Sequence, residues 1–176
     1  MDKLESNLYF KLMAIALKVR DLFMPPKKIL KEIEIKSGFH VLDYGCGPGS
    51  YTILLAELVG KSGKVYALDI HPLALRSVQR IASRKQLTNI ELILSRCGTG
   101  LPDNSLDVII FYDTLHSLNE PDEVLGELYR VLKPDGLLSF SDHHLKQKTI
   151  LSRVTDKGLF KLLRKGERTY TFSKKE

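Results

Sequence analysis

The chain has no tryptophan, only two cysteines and three methionines among its 176 residues, and no low-complexity tract or internal repeat. The missing repeats exclude solenoids and propellers. Two cysteines, Cys46 and Cys97, are too few for the disulfide framework of a small secreted domain and fit a reducing compartment. They lack metal-ligand spacing, so both read as small unpaired residues and no metal is expected. Long apolar runs are absent too. The run at residues 12–17 is six residues long and lies between Lys11 and Lys18. A membrane span needs about 20. No small-residue cleavage site follows, so the expectation is a cytoplasmic protein without a membrane partner.

What is present fits one domain with a proper core. The formal charge of +6 is unevenly placed: ten Lys/Arg face three acids from Lys146 onward, which leaves residues 1–145 close to neutral. A basic tail can serve nucleic acid, but it is more often a solvated face; a nucleic-acid partner is possible and not favoured. Residues 39–52, FHVLDYGCGPGSYT, organise the rest. Val41 and Leu42 begin a short apolar strand that ends in Asp43. Gly45, Gly47 and Gly49 follow at every second position, and then comes a helical pattern. Strand, glycine turn and helix in that order put yielding backbone at the carboxyl end of a strand, where open α/β sheets bind ligands. A plain turn would need one glycine.

Helical spacing predicts a helix over residues 6–23, closed by Met24-Pro25-Pro26, and a second over 27–34. Both precede the nucleotide-fold pattern, either as a cap or lid (residues 1–37 against a binding domain at 38–176) or as simple core packing. Strands are expected at 64–68, 90–94, 107–112 and 137–141. Helices start at His71-Pro72 and at Pro121, and a short one covers 145–154. Lys133-Pro134-Asp135-Gly136 reads as a turn. Residues 159–163 and 169–173, about a Gly-containing turn, read as an antiparallel hairpin. The fold class is therefore α/β: a doubly wound, mostly parallel sheet of seven strands closed by that hairpin.

Asp69 lies twenty residues beyond Gly49 and ends the second strand. An acid there accepts hydrogen bonds from both hydroxyls of a ribose held over the glycine loop, or caps the helix starting at Pro72. The loop is G-x-G-x-G, not the G-x-G-x-x-G of dinucleotide sites, and Asp43 ahead of it would repel a pyrophosphate. A ligand with a ribose, a cation and no phosphate fits better.

VLDYGCGPGSYT resembles the first motif of the class I S-adenosylmethionine-dependent methyltransferases, in their small, methyltransferase-domain-only form. VYALDIHP, LPDNSLDVIIFYDTLHSL and RVLKPDGLLSF are similar to later motifs of that family, in the same order. The resemblance spans residues 38–173 and implies S-adenosyl-L-methionine as cofactor. By position it implies Asp43 at the amino-acid end of the cofactor and the backbone of Tyr44, Gly45, Cys46, Gly47 and Gly49 along the methionine and adenosine. It further implies Asp69 on the ribose, Ile70 against the adenine and Phe111 beside the methionyl group. Many relatives carry an Asp after the third strand for the adenine amino group. Here that region reads Ser95-Arg96-Cys97-Gly98-Thr99-Gly100, which leaves adenine to main-chain groups near Cys97 and Gly98.

A methyltransferase must align a nucleophile with the methyl group and exclude water. A hydroxyl or ammonium acceptor also needs a base. Candidates are His116, Tyr112 and Asp113, with Asp142, His143 and His144 near them; His143 and His144 are expected to face opposite ways, as neighbours on a strand do. FYDTLH differs from the [DN]-P-P-[FY] motif of enzymes that methylate base amines. A small-molecule acceptor is expected. A non-catalytic cofactor-binding or partner module, and an RNA or protein methyltransferase docking through the basic tail, are the alternatives.

Overall fold

The computed structural model describes residues 6–175. Helix α1 (Asn7–Phe23) starts at a Ser6 cap, whose hydroxyl accepts from the Tyr9 amide, and it ends before the prolines. A single turn, α2 (Pro26–Leu30), follows. It is shorter than its apolar pattern suggests. Glu32 and Ile33 complete it through turn bonds back to Ile29 and Leu30.

Strand β1 (His40–Tyr44), α3 (Ser50–Val59), β2 (Lys64–Asp69), α4 (Pro72–Lys85) and β3 (Ile90–Leu94) form the first half of the nucleotide fold. Strand β4 (Leu106–Tyr112), a 3-10 turn (Leu115–Ser117), α5 (Pro121–Val131), β5 (Leu132–Ser141) and α6 (Gln147–Thr155) form the second. Strands β6 (Phe160–Lys165) and β7 (Tyr170–Lys174) close the chain.

The sheet order is β3-β2-β1-β4-β5-β7-β6, with β1 to β5 parallel and β7 antiparallel to both of its neighbours. From β1 the chain winds outward through β2 and β3, then returns to β4 on the other side. The carboxyl end of β1 is thus the switch point, where such sheets open a crevice for ligands.

Strand β5 differs from expectation. Residues 133–136 remain in the strand, and the register against β4 jumps from Leu106–Leu132 to Val108–Leu137. The extra residues form a bulge. Pro134 lacks the amide a regular ladder would use. A side chain at Gly136 would come within 2.7 Å of Leu132 Cδ1.

Alternation along β1 sends Leu42 and Tyr44 to one face and Val41 to the other. On the first face they meet Leu125 and Leu128 of α5 and Ile150 and Val154 of α6. On the second, Val41, Val65, Val108 and Ile110 pack on Ile29, Leu30, Ile33 and α3. The two N-terminal helices therefore have different roles: α2 belongs to the core, whereas Phe10 is the sole buried residue of α1. The basic tail is partly spent within the fold. Lys165 donates to Gln147, Lys174 to Asn104, and exposed Lys161 and Arg164 sit on the edge strand β6, where charge blocks further strand pairing. No helix of the described residues is long and apolar enough to cross a membrane.

Candidate active site

The glycine loop follows directly from backbone geometry. Gly45, Gly47 and Gly49 have φ of +80°, +51° and +97°, the region in which a side chain is strained. At Gly45 space is also short: a Cβ would lie 2.3 Å from Thr114 Oγ1. The loop is pinned from β2, because the amides of Gly45 and Cys46 both donate to the Leu68 carbonyl, at 2.8 and 3.0 Å.

Two buried carboxylates flank the loop. Asp69 Oδ2 accepts from the Gly47 amide at 2.9 Å, and Oδ1 accepts from the His71 amide at 2.8 Å. His71 Nδ1 in turn caps α4 by accepting from the Leu73 amide. Ring and carboxylate share the capping, and Asp69 still lines the cavity above the loop. Asp43 is 3 % exposed and accepts from Thr52 Oγ1 at 2.6 Å. Burial, reinforced by the charge of Asp69, pushes its carboxyl up to about 7. The neighbouring Cys46 thiol is raised well above its usual value by burial and by both acids. It lines the cavity as a neutral group.

That cavity holds about 240 Å³. Its floor is the glycine loop with Asp43 and Asp69, and its roof is α1, through Tyr9, Met13, Leu17 and Arg20. The helix is fastened at both ends. Phe10 stacks on His71 with ring centroids 4.5 Å apart. Arg20 Nη1 donates to Asp113 Oδ2 at 3.0 Å, and the Ser50 hydroxyl bonds Asp21. None of these α1 residues stood out in the sequence. The available signal was that Arg20 and Asp21 are polar residues on the helix side shared with Phe10.

The far wall is built from the ends of β4 and β5, which exchange partners. His116, on the 3-10 turn after β4, places Nδ1 3.0 Å from Asp142 Oδ2 beyond β5, and its amide donates to the same oxygen. His143, beyond β5, places Nδ1 2.7 Å from Asp113 Oδ1 beyond β4, and again donates its amide to that acid. His144 lies between the two dyads, 4.1 Å from the His116 ring and 3.9 Å from that of His143. The expectation that His143 and His144 diverge is corrected: the strand ends at Ser141, and both lie in a turn where alternation no longer applies. Among the described residues no His/Cys/Asp/Glu group is arranged to hold a metal ion.

The remaining sequence candidates divide. Asp113 has φ +50° and is fully engaged by Arg20 and His143. Tyr112 bonds Ser139 Oγ at 2.6 Å, and burial raises its phenol, so it stays neutral as a wall of the cavity. Ile70 lines a narrow crevice next to Asp69, together with Ser95 and Arg96. Neither cavity is lined by Cys97 or Gly98. Cys97 packs toward the core, while the Tyr44 hydroxyl donates to the Arg96 carbonyl at 3.0 Å. Phe111 is fully buried between the rings of Tyr44 and Phe140 and touches neither space.

A second cavity of about 420 Å³ shares Arg20, Tyr51, Tyr112, Asp113 and His143 with the first. Met24, Ile29, Leu145, Ile150 and Tyr170 make it mainly apolar and aromatic.

A glycine loop at the switch point of a 3-2-1-4-5-7-6 sheet, with an acid before it and another ending β2, defines a Rossmann-like methyltransferase. Comparison with known proteins agrees. A methyltransferase-domain family profile matches residues 35–174. The crystal structure of a SAM-dependent methyltransferase from Aquifex aeolicus superposes with a TM-score of 0.74 at 31 % identity, covering 84 % of this chain and 86 % of that one. Demethylmenaquinone methyltransferases of Geobacillus sp. (strain WCH70) and Lactobacillus johnsonii are 36 % and 37 % identical over 61 % and 62 % of this chain. The match covers 46 % of each, so the chain spans about half the length of these curated relatives. The chain belongs to the methyltransferase-domain family, among the class I enzymes that use S-adenosylmethionine.

The residues present fit that cofactor. Asp43 is a buried carboxylate with no cation partner among the described residues, in the wall of a cavity that must take an ammonium and a sulfonium. Asp69 keeps lone pairs for ribose hydroxyls beside its two backbone bonds.

Proposed function

We propose that this chain methylates a small, hydroxylated aromatic acceptor that enters through the second cavity, with His116 as general base. The observation that carries the reading is the His116–Asp142 dyad in the wall of the cofactor cavity. Asp142 engages Nδ1 and so leaves Nε2 as the open acceptor of the ring. The cofactor, when bound, supplies an electrophilic methyl group on a sulfonium. The chain's own task is then alignment, dehydration and removal of one proton. Asp43 would hold the ammonium end, Asp69 the ribose, and Ile70 with the Ser95–Arg96 backbone the adenine. Met13 and Leu17 would exclude water from above, and His116 Nε2 would take the acceptor's hydroxyl proton, the methyl group being what the bound cofactor would supply. A positioned base of this kind contributes about 10²–10⁴-fold to a rate.

The apolar and aromatic lining of the second cavity supports a ring-shaped acceptor, and the similarity to demethylmenaquinone methyltransferases supports a quinol. The test is turnover on a short-chain naphthohydroquinone kept reduced, read by mass spectrometry as the gain of one methyl group. Product that disappears in His116→Ala is the expected result. Binding of S-adenosylhomocysteine without transfer to any hydroxylated ring would replace the proposal with a non-catalytic cofactor-binding module.

A further inference from the structure

We propose that the outer face of α1 is a docking surface for an anionic phospholipid bilayer. This reading is independent of the acceptor's identity. At roughly 100° per residue, Leu8, Leu12, Ile15, Val19, Leu22 and Phe23 fall on one arc of the helix. They are 69 %, 59 %, 60 %, 50 %, 78 % and 82 % exposed. Chains do not usually leave six large apolar side chains in one exposed stripe without a partner for it. The opposite arc, through Phe10, Met13, Leu17 and Arg20, is the roof of the cofactor cavity and is not available to cover the stripe.

Charge selects the occupant. The sole acid of α1, Asp21, is turned inward onto Arg20 and Ser50. Along one flank of the stripe, Lys11 and Lys18 face Arg76 and Arg80 of α4 across a groove that no acid lines. None of the four has an ion-pair partner among the described residues. A second copy of the chain meeting this face about a two-fold axis would bring the same four cations together, which like-charge repulsion opposes. A bilayer carrying anionic headgroups matches both parts of the surface: the apolar arc enters the headgroup–acyl boundary while the cations stay at the phosphate level. The helix measures about 26 Å at 1.5 Å per residue, and lying flat it places the cavity roof against the membrane.

Flotation of the full chain with vesicles of phosphatidylcholine, alone or with a third phosphatidylglycerol, tests this, with analytical sedimentation alongside. Binding is expected on the phosphatidylglycerol vesicles, at least tenfold weaker on phosphatidylcholine. It should fall at least tenfold in Leu12→Glu/Ile15→Glu and in Arg76→Glu/Arg80→Glu. Thermal midpoint and S-adenosylhomocysteine binding, unchanged in both variants, keep loss of fold and failure of the methyltransferase reading apart from failure of the docking. No flotation, equal flotation on both lipids, flotation indifferent to both variants, or a sedimenting dimer that Leu12→Glu/Ile15→Glu disperses in place of flotation would each overturn it.

Discussion

Asp43 has a carboxyl that burial holds protonated up to about pH 7, inside a cavity that must receive a cation. In the unfolded chain it ionises near the ordinary aspartate value of 3.8. Between those two values the unfolded chain has lost the proton and the fold has kept it, so stability falls as pH rises through this window and levels off above it. An ammonium ligand reverses the preference and favours the ionised form. S-adenosylhomocysteine affinity should therefore rise about tenfold per unit from roughly pH 5.5 to pH 7, and calorimetric titration of Asp43→Asn should show the slope gone. Asp69 should act through hydrogen bonding. At about 1.5–3 kcal/mol for bonds to a charged acceptor, Asp69→Asn should weaken binding by roughly ten- to a hundredfold at any pH. The glycines separate by space. Gly45→Ala meets Thr114 as well as an unfavourable φ and should cost about 2–3 kcal/mol. At Gly47 the nearest atom to a Cβ is Leu17 Cδ1, 3.9 Å away, so alanine should cost only about 1 kcal/mol, the left-handed conformation itself. A thermal melt of the two variants should rank them in that order.

At the scale of elements, the tips of β4 and β5 form one unit because each supplies an acid to the other's histidine. His116→Ala should lower kcat by about 10²–10⁴ while leaving S-adenosylhomocysteine affinity unchanged. Asp142→Asn should follow it in kcat, since an amide no longer favours the Nδ1–H tautomer. Asp113 and His143 should behave differently, because Asp113 also ties down Arg20: Asp113→Ala should loosen α1 and raise the cofactor Kd more than it lowers kcat. How much of this is readable from sequence depends on the range of the forces. The turn at the three glycines and the strand-end positions of Asp43 and Asp69 could be read because a positive φ and a strand end leave local marks; of these residues Asp43, Gly45, Gly47 and Asp69 line the cavity. The mostly parallel, doubly wound sheet with its closing hairpin followed from strand–helix alternation; the order of its strands is a non-local result that alternation does not give. The exchanged dyads could not, since the pairs are 26 and 30 residues apart and depend on how two strand ends lie side by side. Phe111, which the resemblance sets beside the methionyl group, is one residue from the cavity wall at Tyr112, and strand alternation turns it into the opposite layer. The crevice beside Asp69 and Ile70 is lined by Ser95 and Arg96 and not by Cys97, a main-chain placement that leaves no side-chain signature in the sequence.

For the molecule as a whole, the question is which residues form the folding unit and which are laid over it. For the residues ahead of the glycine strand the sequence leaves two readings, a cap or lid and simple core packing, and the burial of the described ones divides them near Met24. Ile29, Leu30 and Ile33 are 8 %, 3 % and 4 % exposed within the α3 face of the sheet. At about 1.5–3 kcal/mol per buried aliphatic side chain, they contribute on the order of 5–9 kcal/mol, comparable to the whole stability of a domain. Glu32 between them accepts from the amide and hydroxyl of Thr169 at 2.9 and 2.8 Å and so fixes the turn of the closing hairpin. Helix α1, by contrast, buries Phe10 alone and adds two polar ties at its far end. A chain starting at residue 25 should therefore keep a cooperative thermal transition within several degrees of the full protein. Its cofactor affinity should fall, because the cavity has lost its roof and water reaches Asp43 and Asp69. A chain starting at residue 38 should show no cooperative transition at all. Were the two truncations to melt alike, the N-terminal residues would be a single removable cap and α2 would have to be reassigned to it.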